Sequence, residues 1–139
     1  MVLYFMGRDY GGPAVGLFSA LFLALNSSHI SRTSLGFFDD ETVGVFGIIL
    51  FCFLLLRSIE EERTSSSAVK YAMGAGAALG YVCASWGAAL YPIGMMAIFF
   101  FALIIFRRYS QRLLLSYSIT SGLGLFLAIN VPKLSTSFL

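Results

Sequence analysis

The sequence predicts an all-α integral membrane protein, and two observations carry that prediction. Of its 139 residues, 58% are apolar and only 12% are charged, whereas a soluble domain carries about a quarter charged residues. The charged residues also fall into clusters that are separated by long charge-free runs. A soluble helix alternates polar and apolar residues at helical spacing, and these runs do not. We therefore expect one transmembrane domain over residues 1–139, embedded in a lipid bilayer.

The first apolar segment runs from about Tyr10 to Ser28. Pro13 lies near its start, where the missing backbone N–H of proline costs little. A signal peptide is the alternative interpretation, but Asn26 to Ser28 lack the small-x-small cleavage pattern. We expect this segment to be the first membrane helix.

The second apolar segment runs from Thr42 to Leu56, with three acids just before it and Arg57 just after it. Acids at the start of a helix and a base at its end are favourable interactions with the helix dipole. The segment is short for a hydrocarbon core of about 30 Å. Snorkelling of the Arg57 side chain to the interface would extend it.

The third apolar stretch, Lys70 to Phe106, is too long for a single membrane helix. We expect a helical hairpin with its turn within Ser85 to Pro92, because proline interrupts helices and the aromatic residues nearby favour the membrane interface. Basic residues flank the stretch on both sides and should lie on the same side of the membrane, which requires an even number of crossings between them. A re-entrant loop satisfies that requirement equally well.

The last segment runs from Leu113 to Val131 and stops before Pro132, as a helix end should. The full layout has four to five short transmembrane segments. The positive-inside rule places the N-terminus in the cytoplasm.

Small residues recur every four positions along the first half of the predicted hairpin. In lipid, small side chains let helix backbones approach closely, so this face is a candidate for helix packing or partner contact. The partner is either another helix of this chain or another subunit. The candidates are Ala72, Gly76, Gly80, Ala84 and Ala88.

Ionisable residues are missing from all the apolar segments. Ion-coupled carriers usually depend on such a group near the membrane midplane, which argues against a self-sufficient carrier. His29 follows three polar residues and is interpreted as a solvated loop residue. The acids Asp39 to Glu41 are interpreted as helix-start electrostatics. We expect no catalytic residue, no metal site, no cofactor and therefore no enzyme.

The chain resembles the small membrane subunit of bacterial tripartite tricarboxylate transporters in four features. These are its length, the run Ser34 to Phe38 before an apolar helix, the run Tyr91 to Ala97 before an aromatic-rich helix, and the ending Asn130 to Pro132. One departure is Asp39, which stands where that family usually has proline.

This resemblance implies an accessory subunit that braces a large multi-helix transport subunit in the bacterial inner membrane. A periplasmic solute-binding protein would deliver a tricarboxylate or a related carboxylate. The outer connection would contact these partners through Arg32, Phe37 and Phe38. Two alternatives remain open: the small subunit of a related C4-dicarboxylate-type or sialic-acid transporter, and a structural subunit of a respiratory or photosynthetic complex. The net charge of +2 is too small to indicate nucleic-acid binding.

Overall fold

The computed structural model describes residues 1–33 and 40–131, and within these ranges it is entirely helical apart from turns and short connections. The predicted all-α class is confirmed for these residues. The described helices are α1 (Val2–Leu25), α2 (Ser27–Thr33), α3 (Glu41–Ile59), α4 (Ser65–Ser85), α5 (Leu90–Ile105) and α6 (Gln111–Ile129).

Two of these helices, α3 and α6, are long and apolar enough to cross a membrane. The pair α1 and α2, which is bent by 58°, forms a third candidate if it is one broken span. The described residues thus contain two to three candidate spans, fewer than the four to five expected from the sequence. The α5 helix is apolar but has only 16 residues, or about 24 Å at 1.5 Å per residue. The α4 helix is not among the candidate spans, and it begins with serines and carries Lys70.

A sharp bend divides α1 at Gly12, where φ is 85° and ψ is 177°. An L side chain rarely adopts this conformation, whereas glycine does so without steric cost. The two halves of α1 fold against each other: a Cβ atom built on Gly7 would lie 2.9 Å from the Cα of Gly16. In a straight helix these two residues would be about 13 Å apart. The first apolar helix therefore begins at this bend.

The helices α3 and α4 pack antiparallel. Gly44 near the start of α3 contacts Trp86 just after the end of α4, and Leu54 further along α3 contacts Gly74. The core forms mainly between these two helices. Its fully buried large side chains include Phe51, Leu79 and Val82.

The helices α4 and α6 pack side by side in parallel. Gly76 faces Leu123 and Gly80 faces Leu127, so the residue numbers rise together along both helices. Two parallel neighbours need a return path between them, and α5 with its connections provides it. This arrangement agrees with a hairpin over Lys70 to Phe106.

The α5 helix follows a break at residues 86–89, inside the interval where the sequence predicts a turn. It buries Pro92 and Met96 against the core. The ring of Phe100 stacks on that of Tyr117 in α6, with 4.2 Å between the centroids. Much of its remaining apolar surface is exposed, including Ile98, Phe101 and Ile105.

One end of the bundle, which we call the basic end, joins the end of α3, residues 60–64 and the start of α6. The guanidinium of Arg112 donates hydrogen bonds to the backbone carbonyls of Glu60 and, at 2.6 Å, of Arg63. Arg57 binds Asp9 of α1 through two hydrogen bonds of 2.5 and 2.9 Å. The two basic connections therefore lie at the same end of the bundle, as the charge pattern predicts.

Candidate functional site

The structure places three of the five small residues in the interface between α4 and α6. The carbonyl of Ala72 accepts a hydrogen bond of 3.1 Å from the hydroxyl of Thr120. A Cβ atom built on Gly76 would lie 2.9 Å from the Cβ of Leu123, and one on Gly80 would lie 2.7 Å from that of Leu127. These approaches are too close for any larger side chain. This part of the face is an interface within the chain.

The other two small residues lie outside that interface. Ala84 is exposed near the end of α4, and Ala88 is exposed in the turn that follows Ser85. The period of four therefore continues in the sequence after the helical contact with α6 has ended.

Of the three contact candidates in the outer connection, only one lies within the described residues. Arg32 lies in the last turn of α2, whereas Phe37 and Phe38 lie outside the described residues. Arg32 lines an open cavity of about 200 Å³ at the end of the bundle opposite the basic end. We call this region the cavity end. The cavity is lined by Leu23, Asn26, Ser28, His29, Arg32, Thr33, Glu41, Thr42 and Val45.

Charged and polar groups from two helices meet at the cavity end. The guanidinium of Arg32 in α2 donates a hydrogen bond to the carboxylate of Glu41 in the first turn of α3. The hydroxyl of Thr42 donates to the backbone carbonyl of Arg32, at 3.5 Å. The amide of Asn26 accepts from the backbone N–H of His29, at 3.2 Å, and so supports the start of α2. An exposed ion pair contributes only about 0–1 kcal/mol, so the arrangement orients these groups more than it stabilises the fold.

The cavity end offers a guanidinium, a carboxylate and several hydroxyl groups beside apolar helices. A guanidinium offers a planar fork of N–H donors that matches phosphate or carboxylate oxygens. Within residues 1–33 and 40–131, no three His, Cys, Asp or Glu side chains are grouped closely enough to hold a metal ion. Asp39 falls outside those ranges.

From the sequence, His29 was expected to be a solvated loop residue. The structure shows a short helix, α2, whose side chains line the cavity together with the start of α3. One signal was available in the sequence. A histidine, an arginine and three acids are collected between two apolar helices, from His29 to Glu41.

Comparison with known proteins identifies the family. The family model for the N-terminal part of oligosaccharyl transferase STT3 matches residues 1–138. The chain belongs to the STT3 family.

Relatives in the STT3 family share this region at low identity. The dolichyl-diphosphooligosaccharide–protein glycosyltransferase subunit STT3B of Oryza sativa subsp. japonica is 28% identical over 131 residues, which is 94% of this chain and 18% of that protein. Subunit STT3A of the same plant is 30% identical over 93% of this chain and 16% of its own length. Subunit STT3 of Dictyostelium discoideum is 26% identical over 97% of this chain and 18% of its own length. The chain thus spans less than a fifth of these relatives.

The STT3 match overturns the resemblance to tripartite tricarboxylate transporters. The transporter function and the two alternatives, a C4-dicarboxylate-type subunit and a respiratory or photosynthetic subunit, are wrong. The supporting runs, Ser34 to Phe38 and Tyr91 to Ala97, consist mostly of apolar and small residues. Such runs are common to membrane proteins of many families, because the bilayer selects for them.

Three further expectations fall with the transporter assignment. The expectation of no enzyme is wrong for the family, whose model and members are named as transferases. The expected partners, a large transport subunit and a periplasmic binding protein, are wrong because the relatives are named as glycosyltransferase subunits. The expected bacterial inner membrane is wrong because the relatives come from eukaryotes.

Proposed function

We propose that this chain forms part of the membrane domain of an oligosaccharyl transferase, which transfers an oligosaccharide from a dolichyl diphosphate carrier to protein. The observation that carries the proposal is the family match over residues 1–138. The relatives, of which this chain spans 16–18%, are named for that reaction.

The apolar surface of α1 supports the proposal. A dolichyl carrier has a long hydrocarbon tail that must lie along an apolar, lipid-accessible surface while its diphosphate stays at a polar site. The second half of α1 leads to the cavity end and exposes most of its large apolar side chains. These are Leu17, Phe18, Leu21, Phe22 and Leu25, each at least 50% exposed.

The polar groups of the cavity end support it as well. Arg32 supplies a cation of the kind that binds phosphate oxygens in a bidentate manner. Glu41 fixes the orientation of that guanidinium through its hydrogen bond. In this proposal, Arg32 binds the diphosphate of the carrier and α1 contacts the adjoining hydrocarbon.

The proposal extends to topology, partners and location. We propose that α4 and α5 also cross the membrane, since the parallel packing of α4 and α6 requires a return between them. The buried small residues of α4 then hold α6, whereas the exposed Ala84 and Ala88 remain candidates for contact with another subunit. The corresponding location is the endoplasmic reticulum membrane.

A transfer assay tests the proposal. Membranes from cells that depend on this protein are supplied with dolichyl-diphosphate-linked oligosaccharide and with a fluorescent peptide carrying Asn-x-Ser/Thr, the N-glycosylation acceptor sequence. We expect transfer with the wild-type protein and a large loss of transfer with Arg32→Ala. Arg108→Ala, which removes an exposed cation near the basic end, should transfer as well as wild type. Undiminished transfer after depletion of the protein would show that the proposed function is wrong.

A further inference from the structure

The indole ring of Trp86 lies directly against the backbone of α3 at Gly44. A Cβ atom built on Gly44 would come within 2.5 Å of Cδ2 and 2.7 Å of Cγ of Trp86. Real Cβ atoms do not approach other atoms so closely, and an indole ring cannot bend away as the end of a flexible chain can. The absence of a side chain at Gly44 is therefore what admits the ring.

The turn of α3 that Trp86 contacts is the turn that borders the cavity. The backbone N–H of Gly44 donates to the carbonyl of Asp40, at 2.9 Å, and closes the first turn of the helix. Within that turn, Glu41 and Thr42 both reach Arg32. A displacement of this turn would therefore move two groups that contact Arg32.

Trp86 is itself held in place by the end of α4. It is the C-cap residue of that helix, in extended conformation with φ −131° and ψ 129°, and its backbone N–H donates to the carbonyl of Val82. Its ring is partly buried against the core. The end of α4 thus provides a rigid support on which the start of α3 rests.

We propose that Trp86 is a positioning residue for the cavity end: its ring, seated on Gly44, sets the first turn of α3 so that Glu41 and Thr42 hold Arg32 at the cavity. The effect of Trp86 on transfer rests on the proposed function, whereas its effect on the position of α3 does not. Trp86 does not line the cavity, so it acts through α3 and not by contact with the substrate.

Gly47 provides a matched control for Gly44. A Cβ atom built on Gly47 would lie 2.4 Å from Cγ2 of Val82, a β-branched side chain whose χ1 angle is restricted in a helix. Gly44→Ala and Gly47→Ala therefore both force α3 and α4 apart. Only the first does so in the turn that carries Glu41 and Thr42.

Disulfide formation measures the geometry without any assay of activity. Arg32→Cys and Thr42→Cys are combined in a background in which Cys52 and Cys83 are replaced by serine. We expect oxidation to a disulfide, because the 3.5 Å contact between the Thr42 hydroxyl and the Arg32 carbonyl brings these two backbones close together, and the rate then reports the separation of α2 from the first turn of α3. Adding Gly44→Ala should slow oxidation several-fold, and adding Gly47→Ala should not. Equal rates for the two glycine variants would overturn the proposal.

The transfer assay supplies the second arm, at equal amounts of folded protein. A displacement of about 1 Å in a positioned group can cost about a hundredfold in rate, so we expect Gly44→Ala to lower transfer at least tenfold and to raise the KM for the donor. Gly47→Ala should stay close to wild type. Trp86→Leu alone should also lower transfer, because it removes the ring against which the first turn of α3 packs, and Trp86→Phe, which keeps an aromatic ring, should lower it less.

The oxidation rates and the transfer assay distinguish failure of the positioning role from failure of the proposed function. No transfer by the wild-type protein would mean that the proposed function fails, and the oxidation rates would then decide the positioning role by themselves. Slower oxidation with undiminished transfer, or undiminished transfer by Trp86→Leu, would overturn the positioning role.

Discussion

The small residues of α4 and the outer connection that carries Arg32 were both predicted as contact surfaces, and only the first of these surfaces is covered by another helix of the chain. The part of the α4 face from Ala72 to Gly80 is closed by α6 of the same chain. The cavity end stays open, with charged groups from α2 and α3 around it. In this chain the small residues of α4 are used for packing against α6. The polar groups of the cavity end stay accessible around an open cavity.

The two regions also differ in what their side-chain interactions contribute to the protein. Two hydroxyl groups of α6 donate hydrogen bonds to neighbouring helices: Thr120 to the carbonyl of Ala72 in α4, across the closed interface, and Ser116 to the carbonyl of Ser58 in α3, at 3.2 Å. All these side chains are fully buried. Substitutions there should act on stability, whereas substitutions at the exposed ion pair of the cavity end should act on function.

The largest loss of stability should come from Gly80→Leu. Overpacking costs about 1–3 kcal/mol, and we expect the upper end of that range because the new side chain meets Leu127 with its first carbon. Gly74→Leu should be milder, since its nearest neighbour is the flexible end of Leu54, at 3.2 Å. Gly122→Leu is the control, because nothing lies within 4 Å of a Cβ there.

The measurement is the thermal unfolding midpoint in detergent, followed by circular dichroism. Similar midpoints for the Gly80 and Gly122 variants would mean that α4 and α6 do not pack as described.

A smaller loss should follow Thr120→Val, which removes the hydroxyl that reaches the carbonyl of Ala72. Hydrogen bonds between membrane helices contribute about 0.6 kcal/mol on average and up to about 1.7 kcal/mol. Thr120→Ser keeps the hydroxyl and should unfold close to wild type in the same measurement. If Thr120→Val unfolds like wild type and Thr120→Ser loses stability, the methyl group and not the hydrogen bond is the important contact.

Arg32→Ala should change stability by less than about 1 kcal/mol, since the pair with Glu41 is exposed. In contrast, transfer should fall by roughly tenfold or more, because a hydrogen bond to a charged group contributes about 1.5–3 kcal/mol. Arg32→Lys keeps the charge without the planar fork and should retain part of the activity. A variant that unfolds early but transfers normally would reverse the assignment of the two regions.

The smallest effect on stability is expected for single cysteine substitutions, which show on which side of the membrane a residue lies. Ser66→Cys and Ser110→Cys, in a background lacking Cys52 and Cys83, should react with an impermeant thiol reagent from the same side of sealed vesicles. Ser28→Cys, which lines the cavity, should react from the other side. Labelling of Ser66→Cys and Ser110→Cys from opposite sides would exclude a return through α5.

The apolar helices could be predicted from the sequence because absence of charge is a local property. The segment expected from Thr42 to Leu56 is α3, Glu41–Ile59, and the one expected from Leu113 to Val131 is α6, Gln111–Ile129. The break before α5 was found because Pro92 and its aromatic neighbours mark it. The boundaries moved by a few residues, since polar residues such as Ser65 begin a helix that the charge pattern alone starts at Lys70.

Contacts between distant residues could not be predicted in this way. Nothing near Arg112 in the sequence indicates that it binds the carbonyls of Glu60 and Arg63. The fold-back of α1 at Gly12 also depends on the contact between its two halves. The cavity was missed for the same reason, because Arg32 and Glu41 are brought together by the packing of α1 and α2 on α3.

The parallel packing of α4 and α6 has a consequence for biosynthesis. The α3–α4 pair is joined by only a short connection, residues 60–64, so it can close as soon as both helices have left the ribosome. The α6 helix can reach its place only after α5 has turned the chain back. During that interval the small residues from Ala72 to Gly80 are not covered by α6.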